Sequence, residues 1–409
     1  MEDGTLAHRS EEIIQLTECY SAHNYHPLDV VIERGEGTWV WDADGRKYLD
    51  CLSAYSAVNQ GHRHPEIIAA LIEQAGKITL TSRAFHNAEM GAFLQELCEI
   101  CRMEMALPMN TGAEAVETAI KTARKWGYTI KGVPRDQAEI IVCEGNFHGR
   151  TTTIVGFSSE QQYKEGFGPF TPGFTLVPYG DVEAFRRAIT PHTVGFLFEP
   201  MQGEGGVLIP PEGYLRETRA ICNEQRVLYI DDEIQTGFGR TGRLFCCDHE
   251  DVKPDMLILG KALAGGVYPV SAVTASRDIL GIFRPGDHGS TFGGNPLGAA
   301  VARAALRVIR EEKLPERSAE LGAYLKGKLL EIDSPVVREV RGKGLMIGIE
   351  IKREAGTARP YCEALRDAGI LAKETHHQVI RLAPPLIITR EEIDWMLPRI
   401  AQALSGGQA

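Results

Sequence analysis

Two stretches decide the fold class of this chain: VLYIDDEIQTG (227–237) and MLILGKALAGG (256–266). Each begins as a short apolar run of the kind that forms a buried strand and ends in polar or glycine-rich residues. Further runs of this kind, EIIVC (139–143) and VGFLFEP (194–200), alternate with stretches of helical spacing such as Tyr214 to Gln225. This alternation predicts an α/β fold with a mostly parallel sheet and helices on both of its faces.

The chain has 409 residues, which exceeds the roughly 250–300 residues at which a single core stops growing. We therefore expect two domains or more. After Asn295 the pattern changes, because a long helix over 296–312 leads to amphipathic segments and two late strands. These strands are predicted in LMIGIEI (345–351) and HQVIRLAP (377–384).

We predict three parts along the chain. Residues 46–297 form a large domain, and residues 298–409 form a smaller α+β domain. Residues 1–45 have an irregular pattern, and we expect them to pack with the small domain or with a partner subunit. A hairpin is predicted in WVWDADGRKYLD (39–50), because DADG is a turn signal.

Composition excludes several classes of partner. The net charge of −11 disfavours nucleic acids and anionic membranes. The start of the chain lacks the pattern of a signal or transit peptide, and no apolar run approaches the roughly 18–20 residues of a membrane span. We expect a cytoplasmic protein whose nine cysteines are reduced. Cys98 and Cys101 form a lone CxxC without a second pair at zinc spacing, so we expect no metal there.

Ligands of parallel sheets bind at the carboxyl ends of the strands, so the residues after each predicted strand are the first candidates for a site. Asn110 to Glu114 follow a predicted strand in MEMAL (103–107). Gly112 permits a close backbone approach there, and the free N–H groups of the helix that follows can bind a phosphate. The alternative is an ordinary helix start, with Thr111 as N-cap and Glu114 in a capping box, which this motif alone favours.

The turn after 139–143 crowds Phe147, His148 and Arg150 together. The phenyl ring can stack on a flat heterocycle, and the guanidinium can bind a carboxylate with two hydrogen bonds. The alternative is a solvated loop with one buried phenylalanine.

Acidic residues end the strand in 227–231, where burial is costly unless they meet a cation. Asp231, Asp232 and Glu233 are compatible with a metal, with a protonated pyridine nitrogen, or with helix capping. Lys261 directly follows the apolar run in 256–260, and burial there lowers a lysine pKa and yields a nucleophilic amine. The alternative is a surface lysine, which the glycines close behind it disfavour. Ser290 lies in a glycine-rich loop that can donate to a phosphate or be a flexible turn.

Together these signals supply a phosphate site, a stacking ring, a carboxylate for a ring nitrogen and a lysine. The chain strongly resembles the fold-type I, class III aminotransferases, which depend on pyridoxal 5′-phosphate (PLP). The resemblance extends nearly end to end, from residue 21 to 389, and is closest to members that act on ornithine. The motifs that carry it are NYHPL (24–28), SAVNQGHRHP (56–65), LTSRAFHN (80–87), NTGAEAVETA (110–119), FHGRT (147–151), EPMQGEGGV (199–207), DEIQTGFGRTG (232–242), GKALAGGVYPVSAV (260–273) and HGSTFGGNPLG (288–298).

The resemblance implies a role in cofactor binding for each motif. Lys261 would form the Schiff base and shuttle the proton, and Asp232 would pair with the pyridine N–H. The other implied contacts with the cofactor are stacking by Phe147, a contact of Gln235 with the ring 3-oxygen, phosphate binding by Gly112 and Ala113, further contacts by Thr111 and His148, and the hydroxyls of Ser290 and Thr291 from the second subunit of a homodimer.

The resemblance also implies how substrates bind. Tyr25, Tyr55 and Arg150 match positions that hold the α-amino and α-carboxylate end of ornithine. Glu204 and Arg381 match a switch pair, in which Glu204 masks Arg381 until a glutamate or 2-oxoglutarate carboxylate has to be bound. The implied reaction transfers the δ-amino group of ornithine to 2-oxoglutarate, in proline synthesis or in arginine breakdown.

Three alternatives stay open. The first is another ω-aminotransferase of the family, acting on N-acetylornithine, γ-aminobutyrate or lysine. The second is a metal-dependent enzyme or metal-binding protein that uses Asp231, Asp232, Glu233 and the pair His62 and His64. The third is a cofactor-bound regulatory module without catalysis, which the complete lysine, aspartate and substrate-binding set disfavours.

Overall fold

The computed structural model describes residues 9–405 and arranges them around three β-sheets. The first eight residues of the predicted segment 1–45 therefore lie outside the described residues. The strands, in chain order, are β1 (Ile32–Glu36), β2 (Trp39–Asp42), β3 (Lys47–Asp50), β4 (Met105–Met109), β5 (Glu139–Cys143), β6 (Phe174–Val177), β7 (Thr193–Phe198), β8 (Leu228–Asp232), β9 (Met256–Leu259), β10 (Ser271–Ala275), β11 (Val337–Lys343), β12 (Met346–Ile351), β13 (Ile370–Leu371), β14 (Lys373–Thr375) and β15 (Val379–Leu382).

Helices cover the sheets and connect most of the strands. A π-helical turn, Gly127–Lys131, extends one of them, and 3₁₀ turns occupy Cys246–Glu250, Lys261–Ala264 and Arg353–Ala355. The helices are α1 (Arg9–Tyr20), α2 (Ser53–Ser56, a single turn), α3 (Pro65–Ala75), α4 (Met90–Cys101), α5 (Gly112–Trp126), α6 (Thr152–Gly156), α7 (Gln161–Lys164), α8 (Val182–Ala188), α9 (Tyr214–Gln225), α10 (Arg277–Leu280), α11 (Pro296–Glu311), α12 (Leu314–Leu330), α13 (Arg359–Asp367) and α14 (Arg390–Ala403).

The largest sheet has seven strands in the order β4-β10-β9-β8-β7-β5-β6. The pairs β5·β6, β5·β7, β7·β8 and β8·β9 are parallel, whereas β10 is antiparallel to both of its neighbours. The predicted α/β fold with a mostly parallel sheet is confirmed. The single reversed strand is not marked by the sequence, because its run SAVTA has the same composition as a parallel strand.

Both faces of this sheet are buried, which explains why its strands are continuous apolar runs. Side chains alternate between the faces, so that Ile140 and Ile230 pack in one cluster with α5, whereas Ile141 and Tyr229 pack in the cluster on the other face. The same alternation sends Asp232 to the α5 face and Asp231 to the opposite face. The two neighbouring aspartates at the end of β8 therefore lie in different environments.

The two smaller sheets have the orders β1-β2-β3-β13 and β11-β12-β15-β14. The predicted hairpin is confirmed, since β2 and β3 pair antiparallel across the DADG turn. The expectation of an irregular start is wrong in part, because α1 is a regular helix. Strand β3 pairs with β13 from the C-terminal part, but the division into 1–45, 46–297 and 298–409 stays a prediction. Between residues 9 and 405 no helix is both long and apolar enough to cross a bilayer.

Candidate active site

The residues singled out after β5, β8 and β9 meet at one edge of the large sheet, as expected for a parallel α/β fold. Two neighbouring cavities occupy this edge, with volumes of about 550 Å³ and about 170 Å³. Lys261 and Phe147 line both of them. The smaller cavity reaches the start of α5, whereas the larger one opens toward Tyr25 and Arg150.

Lys261 projects its amine into this site from the 3₁₀ turn that follows β9. Its φ of +44° is left-handed, which is rare for a residue with a side chain and is tolerated where the surrounding structure fixes the backbone. Burial lowers the pKa of Lys261 below its ordinary value, and the nearby charge of Arg381 acts in the same direction against Glu204 and Asp232. A lysine amine with a lowered pKa is a better nucleophile and proton acceptor near neutral pH.

Asp232 is held by a hydrogen bond that the sequence did not reveal. Its Oδ2 lies 2.6 Å from His148 Nδ1, and its Oδ1 accepts a hydrogen bond from the backbone N–H of Ile234 at 3.1 Å. Burial lowers the pKa of His148, but the bond with Asp232 outweighs this and raises the pKa overall. His148 therefore fixes the orientation of the carboxylate rather than contacting a ligand through the same nitrogen.

Glu199 is a site residue that the sequence analysis missed. It directly follows β7 and lines the smaller cavity, where its Oε2 accepts a hydrogen bond from the backbone N–H of Phe147 at 2.9 Å. Burial raises the pKa of Glu199 to about 7. The position of Glu199 at the carboxyl end of a predicted strand was the signal that could have found it.

The start of α5 combines the two interpretations that the sequence left open. Thr111 caps the helix in a capping box with Glu114, whose Oε2 accepts from the Thr111 N–H at 2.7 Å. Gly112 and Ala113 line the smaller cavity, and neither backbone N–H donates to an acceptor within the described part of the chain. A Cβ on Gly112 would lie 3.0 Å from Ile234 Cδ1, so that glycine keeps this end of the cavity open.

Ser290 and Thr291 do not line either cavity of their own chain. Ser290 Oγ accepts a hydrogen bond from Asn110 Nδ2 at 2.9 Å, and Thr291 is exposed. Their predicted contact with a cofactor in the site of a second subunit stays a prediction.

Glu204 and Arg381 form the ion pair that the sequence predicted, with 2.7 Å between Glu204 Oε1 and Arg381 Nη1. Gln235 completes the group, because its amide donates to Glu204 at 3.2 Å and accepts from Arg381 at 3.1 Å. Burial raises the pKa of Glu204, but the Arg381 charge outweighs it and lowers the pKa overall. A Cβ at Gly203 would lie 1.7 Å from Gln235 Oε1, so this arrangement requires a glycine at 203.

Arg381 is almost completely buried, with 1% of its surface exposed, and its Nε and Nη2 have no hydrogen-bond partner among residues 9–405. A buried guanidinium with unused donors is able to bind a second carboxylate. Its Cζ lies 4.9 Å from the ring centroid of Tyr55. Tyr55 stands in α2, whose four residues all have positive φ, an unusual conformation that aims this ring into the larger cavity.

Tyr25 and Arg150 line the larger cavity with Tyr55, and their binding of a substrate stays a prediction. Tyr25 is 66% exposed in the single chain. Arg150 lies over the ring of Tyr163, a residue that the sequence analysis did not single out, at 4.0 Å from the centroid.

The structure separates the residues of the predicted metal alternative. His62 pairs with Asp50 at 2.7 Å and His64 with Glu312 at 2.9 Å, whereas Asp232 faces His148. That set is therefore not one site. On the far face of β8, a different buried cluster joins Asp231, Glu233 and Cys247, whose candidate ligand atoms lie within 4.8 Å of one another.

The donors around the smaller cavity fit a flat, phosphorylated pyridine aldehyde. The amine of Lys261 would react with the aldehyde, the Asp232 carboxylate would suit a protonated ring nitrogen, and Phe147 would offer a ring for stacking. The free N–H groups at the start of α5 suit a phosphate. A lysine, an aspartate and a helix start therefore converge on one cavity, which is the combination that a PLP site requires.

Fold and site together define the class, and the sequence comparison agrees. The model of the family described as "Aminotransferase class-III" matches residues 20–404, so the chain belongs to the class-III aminotransferases. These enzymes depend on PLP.

The particular relatives narrow the class further. The chain is 61% identical to an ornithine aminotransferase of Geobacillus sp. (strain WCH70), over 97% of this chain and 99% of the relative. It is 60% identical to an ornithine aminotransferase of Bacillus subtilis (strain 168), over 98% of this chain and 99% of the relative.

Solved structures of an ornithine aminotransferase and of an acetylornithine aminotransferase both superpose on this chain. The ornithine aminotransferase of Toxoplasma gondii ME49 superposes with a TM-score of 0.95 at 44% identity, covering 97% of this chain and 94% of that chain. An acetylornithine aminotransferase of Elizabethkingia anophelis superposes with a TM-score of 0.88 at 48% identity, covering 97% and 98%.

Proposed function

We propose that this chain uses PLP to transfer the δ-amino group of L-ornithine to 2-oxoglutarate, which yields L-glutamate 5-semialdehyde and L-glutamate. The semialdehyde then cyclises to pyrroline-5-carboxylate. The observation that carries the proposal is the Glu204–Arg381 pair at 2.7 Å beside Lys261, with Arg150 on the same cavity wall. Two relatives about 60% identical over nearly the whole chain are ornithine aminotransferases.

In this proposal the residues of the smaller cavity hold PLP and move the proton. PLP, when bound, supplies a reactive aldehyde carbon and an electron sink for the carbon that loses a proton. Lys261 would hold PLP through Nζ and, when released, move a proton from the Cδ of ornithine. Asp232, oriented by His148, would keep the ring nitrogen protonated. Phe147 would hold the ring plane, with its backbone fixed by Glu199.

The charges of the larger cavity account for the order of substrates. Ornithine brings one carboxylate and two amines, so Arg150 is sufficient for its α-carboxylate while Glu204 neutralises Arg381. 2-Oxoglutarate brings two carboxylates and no amine, so it needs Arg381 as a second cation. Release of Arg381 from Glu204 supplies that cation, and its unused Nε and Nη2 donors are already buried in the site. Two half-reactions in one site predict ping-pong kinetics.

We also propose a homodimer with shared active sites. The irregular segment 78–87 exposes Phe85 by 73% and Ile78 by 48%, and the loop with Ser290 and Thr291 exposes Phe292 by 47%. Apolar side chains exposed together favour a protein interface. Mixing Lys261→Ala chains with Ser290→Ala/Thr291→Ala chains tests the sharing, because a mixed dimer then holds one site with neither defect. Recovered turnover in the mixture supports shared active sites. The absence of recovered turnover rejects them.

The cytoplasm is the proposed compartment. All nine cysteines are free thiols, and seven of them are buried, as expected where thiols stay reduced.

The runner-up is an enzyme that acts on N-acetylornithine, favoured by the 48% identity to the Elizabethkingia protein. A substrate panel decides between them: ornithine, N-acetylornithine, γ-aminobutyrate and lysine, each with 2-oxoglutarate and product identification by mass spectrometry. We expect the highest kcat/KM with ornithine. A higher value with N-acetylornithine would reject the proposal.

A second test concerns the switch. Glu204→Gln leaves Arg381 unmasked, so we expect discrimination between ornithine and glutamate in the first half-reaction to fall by about tenfold, as the loss of one charge-assisted contact implies. Unchanged discrimination would contradict the assigned role of this ion pair.

A further inference from the structure

Arg150 contacts aromatic rings instead of a carboxylate. Its Cζ lies 4.0 Å from the ring centroid of Tyr163 and 5.7 Å from that of Phe147. No acidic side chain in the described range 9–405 lies within ion-pair distance of its guanidinium. A guanidinium held by the face of a ring keeps its N–H donors for a ligand, because the ring attracts the cation without accepting those hydrogen bonds in the plane.

Tyr163 connects this cation to the predicted cofactor site. It lies in α7, and its ring meets that of Phe147 edge to face, with centroids 6.2 Å apart and planes at 79°. One half-buried side chain therefore touches both the predicted carboxylate binder and the predicted stacking ring. Burial raises the pKa of Tyr163, and although the Arg150 charge lowers it, the pKa stays above its ordinary value. The phenol is neutral at physiological pH and does not compete as an anion for Arg150.

We propose that Tyr163 is a specificity-determining positioning residue, which holds the Arg150 guanidinium where the substrate carboxylate binds and thereby favours ω-amines that carry a carboxylate over plain diamines. This inference rests on the proposed function, since it takes Arg150 as the carboxylate binder. Without the ring, Arg150 regains rotamer freedom that carboxylate binding must then remove again. The cost falls on substrates with a carboxylate and not on those without one.

The test compares ornithine with 1,4-diaminobutane, the same diamine without the carboxylate, in single-turnover half-reactions of the PLP-loaded enzyme. Tyr163→Leu is expected to lower kcat/KM for ornithine about tenfold, chiefly through KM, and to leave 1,4-diaminobutane within about twofold. Tyr163→Phe keeps the ring and should retain most of the wild-type value. Glu165→Gln, an exposed change just after α7, is the matched control.

Equal losses on both amines, or no loss on ornithine, would overturn the proposal, because the first outcome indicates a general structural role and the second no role. A double-mutant cycle sharpens the result: in an Arg150→Ala background, Tyr163→Leu should add less than twofold for ornithine. Full additivity would also overturn it. If the wild type prefers another ω-amino acid, the proposed function fails separately, and the same comparison with that acid and its decarboxylated counterpart still decides the role of Tyr163.

Discussion

Asp231 and Asp232 are neighbours in the chain but belong to two different regions of the molecule. Asp232 faces the cavity edge of the sheet and forms two hydrogen bonds, one with His148 and one with the backbone N–H of Ile234. Asp231 faces the opposite core, and both of its carboxylate oxygens are buried without a hydrogen-bond partner among the described residues. The difference shows that strand alternation, not residue type, decides which acid belongs to the active site.

The far face holds two buried acids, Asp231 and Glu233, whose environment favours the protonated form. Burial raises the pKa of Asp231 well above its ordinary range, and the neighbouring Glu233 acts in the same direction. Burial also raises the pKa of Glu233 to about 7. Glu233 accepts hydrogen bonds from Thr236 Oγ1 at 2.5 Å and from the Cys247 N–H at 3.0 Å. A protonated Asp231 avoids the cost of two buried anions side by side.

The largest expected effect is on the cavity side. Asp232→Asn removes the charge that a protonated ring nitrogen needs, so we expect kcat/KM to fall by roughly 10²–10³-fold or more, as for other preorganised electrostatic groups. Asp231→Asn is the matched control and should change kcat/KM by less than threefold. Steady-state kinetics with ornithine and 2-oxoglutarate measures both, and similar losses in the two variants would contradict the difference between the faces.

His148 should produce a smaller loss. His148→Leu keeps the Asp232 carboxylate but removes the hydrogen bond that orients it, so we expect kcat/KM to decrease by roughly tenfold to hundredfold, typical of groups that orient a ligand-binding residue. The cofactor affinity, measured by equilibrium titration with PLP, should fall together with kcat. Wild-type kinetics and affinity would show that the bond of 2.6 Å to Asp232 has no functional role.

Asp231→Asn should change stability and its pH dependence instead of activity. Because the folded-state pKa of Asp231 and of Glu233 is raised, the folded protein binds more protons than the unfolded chain above about pH 4, and stability falls as pH rises toward and through 7. The stability of the variant should fall less steeply with pH. Between pH 5 and pH 8 its free energy of unfolding should therefore rise by roughly 1–3 kcal/mol relative to that of the wild type. If the free energies of unfolding of the variant and the wild type, measured by urea unfolding, changed in parallel with pH, a protonated Asp231 in the folded state would be rejected.

Much of this site could be predicted from sequence because its signals are local. Strand ends marked Lys261 and the acidic run 231–233, within which the family resemblance selected Asp232. The motif at 110–114 contained both the capping box and the free N–H groups of Gly112 and Ala113. These features depend only on the order of residues along a few turns of chain.

The remaining features depend on contacts between distant segments. His148 meets Asp232 across 84 residues, and Glu199 meets Phe147 across 52. The positive φ of Tyr55 occurs without a glycine, so no residue type marked it. Tyr163 becomes significant only because folding places its ring under Arg150.

The whole proposed reaction depends on the Lys261 amine holding PLP. Borohydride reduction of the PLP-loaded protein, followed by proteolysis and mass spectrometry, locates the lysine that becomes covalently linked to the cofactor. We predict the pyridoxyl group on the peptide that contains Lys261, and no labelled peptide after Lys261→Ala. A label on another lysine in the wild-type protein would show that Lys261 is not the residue that holds PLP.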